Sequence, residues 1–293
     1  MLERESLEEL KIGIADIVFS LVTETPSPEL IIDRVYKQFI TDGRPDISLR
    51  VYYGTIPNYG PEEKIFDSGG TWSLCRHREG YILRDCSLEP GSLPEMLIIL
   101  KSDFESGEIY IDSSDSNQNS SPYVLSYPLD QILMINLLSL ERGVLLHACG
   151  VDDGGCGYLF LGNSTHGKST TAKIWSEASA TVLNDDRIVV REKAAGFWMY
   201  GTPWHGDYPE VSTQGLPIHK MFFLHPGGNN LAVPKNEREA LSMALTRCFP
   251  PIWNKKGMEY TVDFCHRLVE KVPCYGLDFV PDKTVVEFVR DLQ

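Results

Sequence analysis

Surplus positive charge, paired cysteines and long apolar runs are all missing from this sequence, and each absence removes a class of function. The 27 Lys and Arg face 41 Asp and Glu, a net of −14. Proteins that hold phosphate backbones do so through excess Lys and Arg, so nucleic acid is not an expected partner. The seven cysteines, at 75, 86, 149, 156, 248, 265 and 274, form no CxxC pair and match no Cys/His zinc spacing. An odd, scattered set reads as reduced, mostly buried thiols in a cytosolic protein. No apolar run approaches the roughly 20 residues that cross a membrane. The first residues, MLERESLEELKIG, are charged rather than basic-then-apolar. The expectation is a cytoplasmic protein with no membrane partner. No internal repeat is present.

What the chain does have is material for a core, with 42% hydrophobic and 10% aromatic residues. At 293 residues it is long enough for one large domain or two modest ones. Charge divides unevenly. Residues 1–140 hold 11 Lys and Arg against 23 Asp and Glu, a net of −12, whereas residues 141–293 hold 16 against 18, a net of −2. The nearly neutral half suits an anionic ligand better.

The pattern along residues 1–112 predicts a β-rich domain. Ile12–Val22 is a β-branched apolar run. PELIIDRVYKQFITDG spaces Leu30, Ile31, Val35, Phe39 and Ile40 near helical period, with Pro28 inside its start and Gly43 past its end. DISLRVYYG alternates, TWSLCRHREGYILRDCSL predicts a hairpin turning at Glu79-Gly80, and EMLIILKSDFESGEIYIDSS predicts two strands joined around Glu105-Ser106-Gly107. Residues 113–124 read as a polar linker or loop. A buried helix over SYPLDQILMINLLSLERG opens residues 125–293, and strands and helices then alternate. The fold class expected is α/β behind a β-rich, α+β first domain.

One stretch carries explicit chemistry. Gly162-Asn163-Ser164-Thr165-His166-Gly167-Lys168-Ser169 fits GxxxxGK[ST] at every fixed position, after the apolar run YLFL and before the helical TTAKIW. In such a loop the glycines allow close backbone approach. Successive N–H groups and the helix N-terminus, here reaching Thr170, cradle a phosphate. Lys168 then reaches the β- and γ-phosphates and the Ser169 hydroxyl binds Mg²⁺. His166 stands where many such loops have a small residue, either touching phosphate or as a plain loop histidine.

Asp185-Asp186 follow Lys168 by seventeen residues, inside the apolar runs of ATVLNDDRIVV. A kinase needs a second metal contact and a group to take the acceptor's proton, and adjacent carboxylates can divide those tasks. A turn or a helix cap is the plainer alternative. His147 ends an apolar run fifteen residues before the loop, and by itself reads as a satisfied core histidine.

His147, the loop and the aspartate pair, in that order, resemble the HPr kinase/phosphorylase and phosphoenolpyruvate carboxykinase-like (P-loop) superfamily. The specific motifs lie between 143 and 187, within a resemblance over about 125–290. The resemblance implies a P-loop kinase domain using ATP and Mg²⁺. Carried over, Lys168 is the loop lysine, Ser169 the metal-binding hydroxyl, Asp185 the base, Asp186 the metal partner and His147 the nearby catalytic histidine. HPr kinases form oligomers, which makes a homo-oligomer the corresponding expectation. The loop departs from the family's GxSGxGKS form, and its downstream glycine-rich signature for the protein substrate is missing.

Two further places are candidates for substrate contact. YGTPWHGDYPE sets Trp204, His205 and Asp207 in a turn-rich stretch after a strand, where ligands often bind. Arg247 on ALSMALTRCF offers a cation for phosphate, or else is a surface helix arginine. The expected activity is ATP-dependent transfer to a hydroxyl of an unidentified small molecule, peptide or protein. The alternative is a nucleotide-responsive binding module without kinase activity. A conventional GTPase is disfavoured because NKKG at 254–257 lacks the Asp of [NT]KxD, and a transporter ATPase because no LSGGQ-like segment occurs.

Overall fold

Alternation in the first half of the chain builds strands that bury one face. The computed structural model describes residues 7–24, 30–59, 62–78, 80–85, 96–112 and 123–292. It is a mixed α/β structure with two eight-stranded sheets, divided into compact units Met1–Asn136 and Leu137–Gln293.

In the first unit the strands are β1 (Leu7–Ile14), β2 (Ile17–Glu24), β3 (Ile47–Tyr53), β4 (Glu63–Asp67), β5 (Trp72–His77), β6 (Gly80–Asp85), β7 (Met96–Lys101) and β8 (Ser106–Ile111). They lie in the order β1-β2-β3-β8-β7-β6-β5-β4. Ile47, Leu49 and Val51 alternate with exposed Ser48 and Arg50 on the early part of β3, so period two holds there. The expected single run Ile12–Val22 is instead a hairpin, because Ala15 and Asp16 both adopt positive φ, 53° and 57°, in a two-residue turn. Nothing in Ala-Asp announces that turn as Asn-Gly would. The helix expected around residues 30–40 is a short 3₁₀ helix, Arg34–Phe39, capped by the Asp33 side chain. Its Pro28 start lies outside the described residues, as do Glu79 of the β5–β6 turn, Cys86 and most of the expected linker. Helix α1 (Leu129–Leu138) forms where the apolar run predicts, and its Asp130 accepts a hydrogen bond from the Tyr36 hydroxyl of the 3₁₀ helix.

In the second unit the strands are β9 (Val144–Asp153), β10 (Cys156–Leu161), β11 (Thr181–Asn184), β12 (Arg187–Lys193), β13 (Gly196–Tyr200), β14 (Gly215–Pro226), β15 (Leu231–Pro234) and β16 (Cys274–Phe279). The helices are α2 (Lys168–Glu177), α3 (Glu237–Leu245), α4 (Lys255–Lys271) and α5 (Thr284–Asp291). The order is β10-β9-β12-β13-β14-β16-β15, and β10 also pairs with β14, so five strands close on themselves. Because strand residues alternate sides, β10 serves two cores. Leu159 and Leu161 pack with Ala240, Ala244 and Phe264 of α3 and α4. Tyr158 and Phe160 pack with Trp175 of α2 and Val285 of α5. The six described cysteines are free, and Cys75, Cys149, Cys265 and Cys274 are buried. No helix is long and apolar enough to cross a membrane among the described residues.

Candidate functional site

The loop starts where β10 ends. Strands β10, β14 and β16 are mutually parallel, so their C-terminal ends all lie on the side to which the loop belongs. Gly167 caps α2 with φ 90°, and a Cβ there would stand 2.7 Å from the Phe279 ring. Only glycine fits both the backbone and the space. The helix then exposes its first N–H groups, which have no partner within the helix. Lys168 opens α2 and is 6% exposed, and its Nζ donates to the carbonyls of Gly162 at 3.0 Å and Asn163 at 3.2 Å. Burial pulls its pKa down, opposed by the nearby charges of Asp186 and Asp185.

The aspartates come from a change of partner along β9. Strand β12 lies against Val144–His147 and β11 against Gly150–Asp152, and Asp185-Asp186 occupy the break between β11 and β12. Buried Asn184 holds this corner. Its Oδ1 accepts from the backbone N–H of Asp186 (2.7 Å) and Arg187 (2.9 Å), while its Nδ2 donates to the Thr202 carbonyl (2.9 Å).

The two carboxylates face different surroundings. Asp185 is 1% exposed. Its Oδ2 accepts from Ser169 Oγ at 2.5 Å and Tyr208 N at 3.0 Å, and its Oδ1 from Gly206 N at 2.6 Å. The more open Asp186 accepts from His147 Nε2 at 2.8 Å and Arg187 Nη1 at 2.5 Å. Burial pushes the Asp186 carboxyl up, but the hydrogen bond from His147 and the charges of Arg187, His147 and Lys168 outweigh it and leave the group below its ordinary value.

These groups line one cavity of about 360 Å³. Of the expected residues, His147, Ser164, Thr165, Gly167, Lys168, Ser169, Thr170, Asp185, Asp186 and Asp207 border it. Gly162 and Asn163 stand behind the loop and meet Lys168 through their carbonyls. His166 turns away, its Nδ1 3.2 Å from the Leu224 carbonyl oxygen and its ring 6.3 Å from that of His225. Trp204 is buried and His205 exposed, neither bordering the cavity. Arg247 does not border this cavity, and it is not the surface arginine of the plainer reading. It is 7% exposed, its Nη1 donating to the Met243 carbonyl at 2.8 Å and Thr246 Oγ1 at 2.9 Å. Its position just past the end of α3 gives the guanidinium those local acceptors, and its own carbonyl accepts from His147 N at 2.7 Å.

Comparison with known proteins adds no relative: no family model and no curated protein matches the chain.

Sequence reasoning missed four contributors. Arg187 and Asn184 flank the aspartates, and the pattern NDDR is their only sequence signal. Gly206 and Tyr208 act through backbone N–H, which no side-chain motif encodes. A Cβ on Gly206 would come within 2.9 Å of Asp185 Oδ2, so glycine is required there. Chemically, the cavity sets an ammonium and a helix N-terminus across from two carboxylates and a hydroxyl. That donor set suits an anion accompanied by a divalent cation. Among the described residues no cluster of three or more His, Cys, Asp or Glu could hold a metal ion. A hard cation that keeps water and phosphate oxygens as most of its ligands does not need one.

Proposed function

We propose that the second unit is a P-loop kinase domain of the HPr kinase/carboxykinase-like kind, binding MgATP and phosphorylating a hydroxyl of a small molecule, peptide or protein. The observation that carries this reading is the hydrogen bond from Ser169 to Asp185, which joins the loop to the aspartate pair across one cavity. A hydroxyl that donates its proton to a carboxylate turns its lone pairs outward, toward a cation. Ser169 and Asp185 would therefore hold Mg²⁺, whose chemistry is to neutralise charge on the β- and γ-phosphate oxygens. The loop N–H groups and Lys168 would hold the phosphates, Lys168 exchanging its loop carbonyls for phosphate oxygens.

This assigns the aspartates in the reverse of the order that the resemblance implies. Asp185 is enclosed and held by three donors, whereas Asp186 keeps acceptor capacity and faces the cavity. Asp186 is the better placed base. The acceptor oxygen bonds to the γ-phosphorus as the bond to the β,γ-bridging oxygen breaks, and Asp186 takes the hydroxyl proton while ADP leaves. His147 and Arg187 orient that carboxylate. A carboxylate held below its usual pKa is a weak base, which is acceptable because phosphoryl transfer depends mainly on positioning and charge.

The second reading, a nucleotide-responsive binding module, is favoured by the hold of the Gly162 and Asn163 carbonyls on Lys168. γ-Labelled ATP, Mg²⁺ and a small-molecule extract of the source cells, with added peptides and proteins, separate the two. Label in a new species with wild type but not with Asp186→Asn supports the kinase. Tight ATP binding with no labelled product under any acceptor supports the module instead.

A further inference from the structure

Helix α3 brings a cation to the sheet from each of its ends. Lys235 directly precedes its cap Asn236, and Arg247 follows its C-cap Thr246. Below the helix, Phe223 of β14 pairs with Gly276 of β16, and His225 pairs with Asp278. Paired residues and residues two apart share a face. Phe223 packs with Ala240 and Ala244, so this is the face that α3 covers, opposite the face that holds α2. The Arg247 guanidinium lies over Phe223, its Cζ 5.8 Å from the ring centroid. Lys235 runs over Gly276, where a Cβ would stand 2.7 Å from its Cε and 3.3 Å from its Nζ. One row nearer the strand ends, His225 Nδ1 is 3.9 Å from Asp278 Oδ1, and the His166 ring of the loop is 6.3 Å from the His225 ring.

Buried charges are normally paired. Arg247 is 7% exposed and Lys235 is half-buried, yet neither makes an ion pair among the described residues. The neighbouring carboxylates do not supply one. Asp278 faces His225, Glu239 closes the cap of α3 with Asn236, and Glu237 is exposed on the first turn. Within the guanidinium, Nη1 serves the helix end through the Met243 carbonyl and Thr246 Oγ1, and Nε is buried without an acceptor. Nη2 is left without a hydrogen bond among the described residues. The charges converge on His225: burial pulls its pKa down, Asp278 opposes this, and Arg247, His166 and Lys235 pull it further. The group stands at the carboxyl ends of parallel strands, where sheets of this kind hold ligands.

We propose that Arg247 and Lys235, with His225 and His166 beside them, bind a phosphate group. A carboxylate is held best by two parallel N–H groups of one guanidinium fork. Here Nη1 is occupied and Nε is buried, so no fork is open. Nη2 and the Lys235 ammonium are instead separate donors, which suit the several oxygens of a phosphate dianion. The phosphate can be free or carried on a small molecule. This site stands apart from the nucleotide cavity and does not rest on the reading of that cavity.

The test is calorimetric titration of the full chain carrying Lys168→Ala, which removes the competing lysine of the loop. The probes are inorganic phosphate, glycerol 2-phosphate and acetate. Saturable binding of either phosphate below about 1 mM is expected, and which of the two binds more tightly identifies the source. Acetate should bind at least about tenfold more weakly. Adding Lys235→Glu or Lys235→Gln should weaken phosphate at least about tenfold and remove its effect on the thermal midpoint. Lys255→Glu, at a side chain that is 90% exposed, should leave phosphate binding unchanged. Circular dichroism will verify that each variant folds. Acetate binding as tightly as phosphate, no saturation with either phosphate, or equal effects of the substitutions at Lys235 and Lys255 would overturn the proposal.

Discussion

Asp185 and Asp186 are the same residue twice, and their neighbours make them different. Asparagine at 185 places an amide NH₂ against a set of donors, Ser169 Oγ and the backbone N–H of Gly206 and Tyr208. Asp185→Asn should therefore destabilise the fold by about 1–3 kcal/mol and lower the thermal midpoint. Asp186→Asn, at a side chain that is 25% exposed, gives up the charge paired with His147 and Arg187 and should lower the midpoint, but by less than Asp185→Asn. It should lower phosphoryl transfer by about 10²–10⁴. Calorimetry and the label assay on both variants check this; equal loss of stability in the two would refute the division of roles. At this scale the sequence was legible where a side chain lines the cavity: Lys168, Ser169, His147 and the aspartates are motif positions that the fold brings together. It was silent on Gly206 and Tyr208 because a backbone N–H belongs to every residue. It misled on the exposure of Arg247, which is buried just past α3 with its Nη1 on the Met243 carbonyl and Thr246 Oγ1.

Among elements, the junction of β10, loop and α2 is the most constrained. Gly167→Ala must place a methyl group 2.7 Å from the Phe279 ring with φ at 90°. A cost of about 1–3 kcal/mol is expected, seen as a lower urea midpoint, together with weakened nucleotide binding as the loop shifts. An unchanged midpoint would mean that the ring and loop yield freely. Periodicity made α4 and β3 readable, because burial on one face imposes the pattern, whereas α1, buried all round, was readable from its continuous apolar run. The hairpin at Ala15-Asp16 was not readable, since the turn is imposed by the pairing of β1 with β2 rather than by turn residues. The 3₁₀ helix at Arg34–Phe39 carries helical spacing in a segment whose end continues extended at Ile40. The short strands β4 and β15 offer too few buried residues to make a period visible.

At the scale of the whole molecule, acidity and ligand binding are the two levers on stability. Glu192 on β12 joins Lys271 at 2.8 Å and Arg267 at 3.0 Å of α4. The hydrogen bond from Lys271, opposed by burial and aided by Arg267, holds its carboxyl below the ordinary 4.5. A depressed carboxylate contributes stability that is present above pH 4.5 and is lost as pH falls through its folded value. Glu192→Gln should therefore flatten the acid side of the stability curve, read as urea midpoints from about pH 6 down to about pH 3. A curve parallel to wild type would exclude that contribution. The individual strands and helices of the second half were legible from the sequence, but the expected alternation was not found, since β11 to β15 follow one another without a helix. The closure of β9, β12, β13, β14 and β10 on themselves was not legible, because β14 pairs with three strands, β13, β10 and β16, along its length and no local pattern encodes that.

Direct titration of the purified protein with ATP tests whether the loop at Gly162–Ser169 holds MgATP. One-to-one saturable binding is expected that requires Mg²⁺ and weakens at least about tenfold in Lys168→Ala, whose circular dichroism spectrum stays that of wild type. No saturable binding to wild type, or binding that survives the loss of Lys168 undiminished, would contradict it.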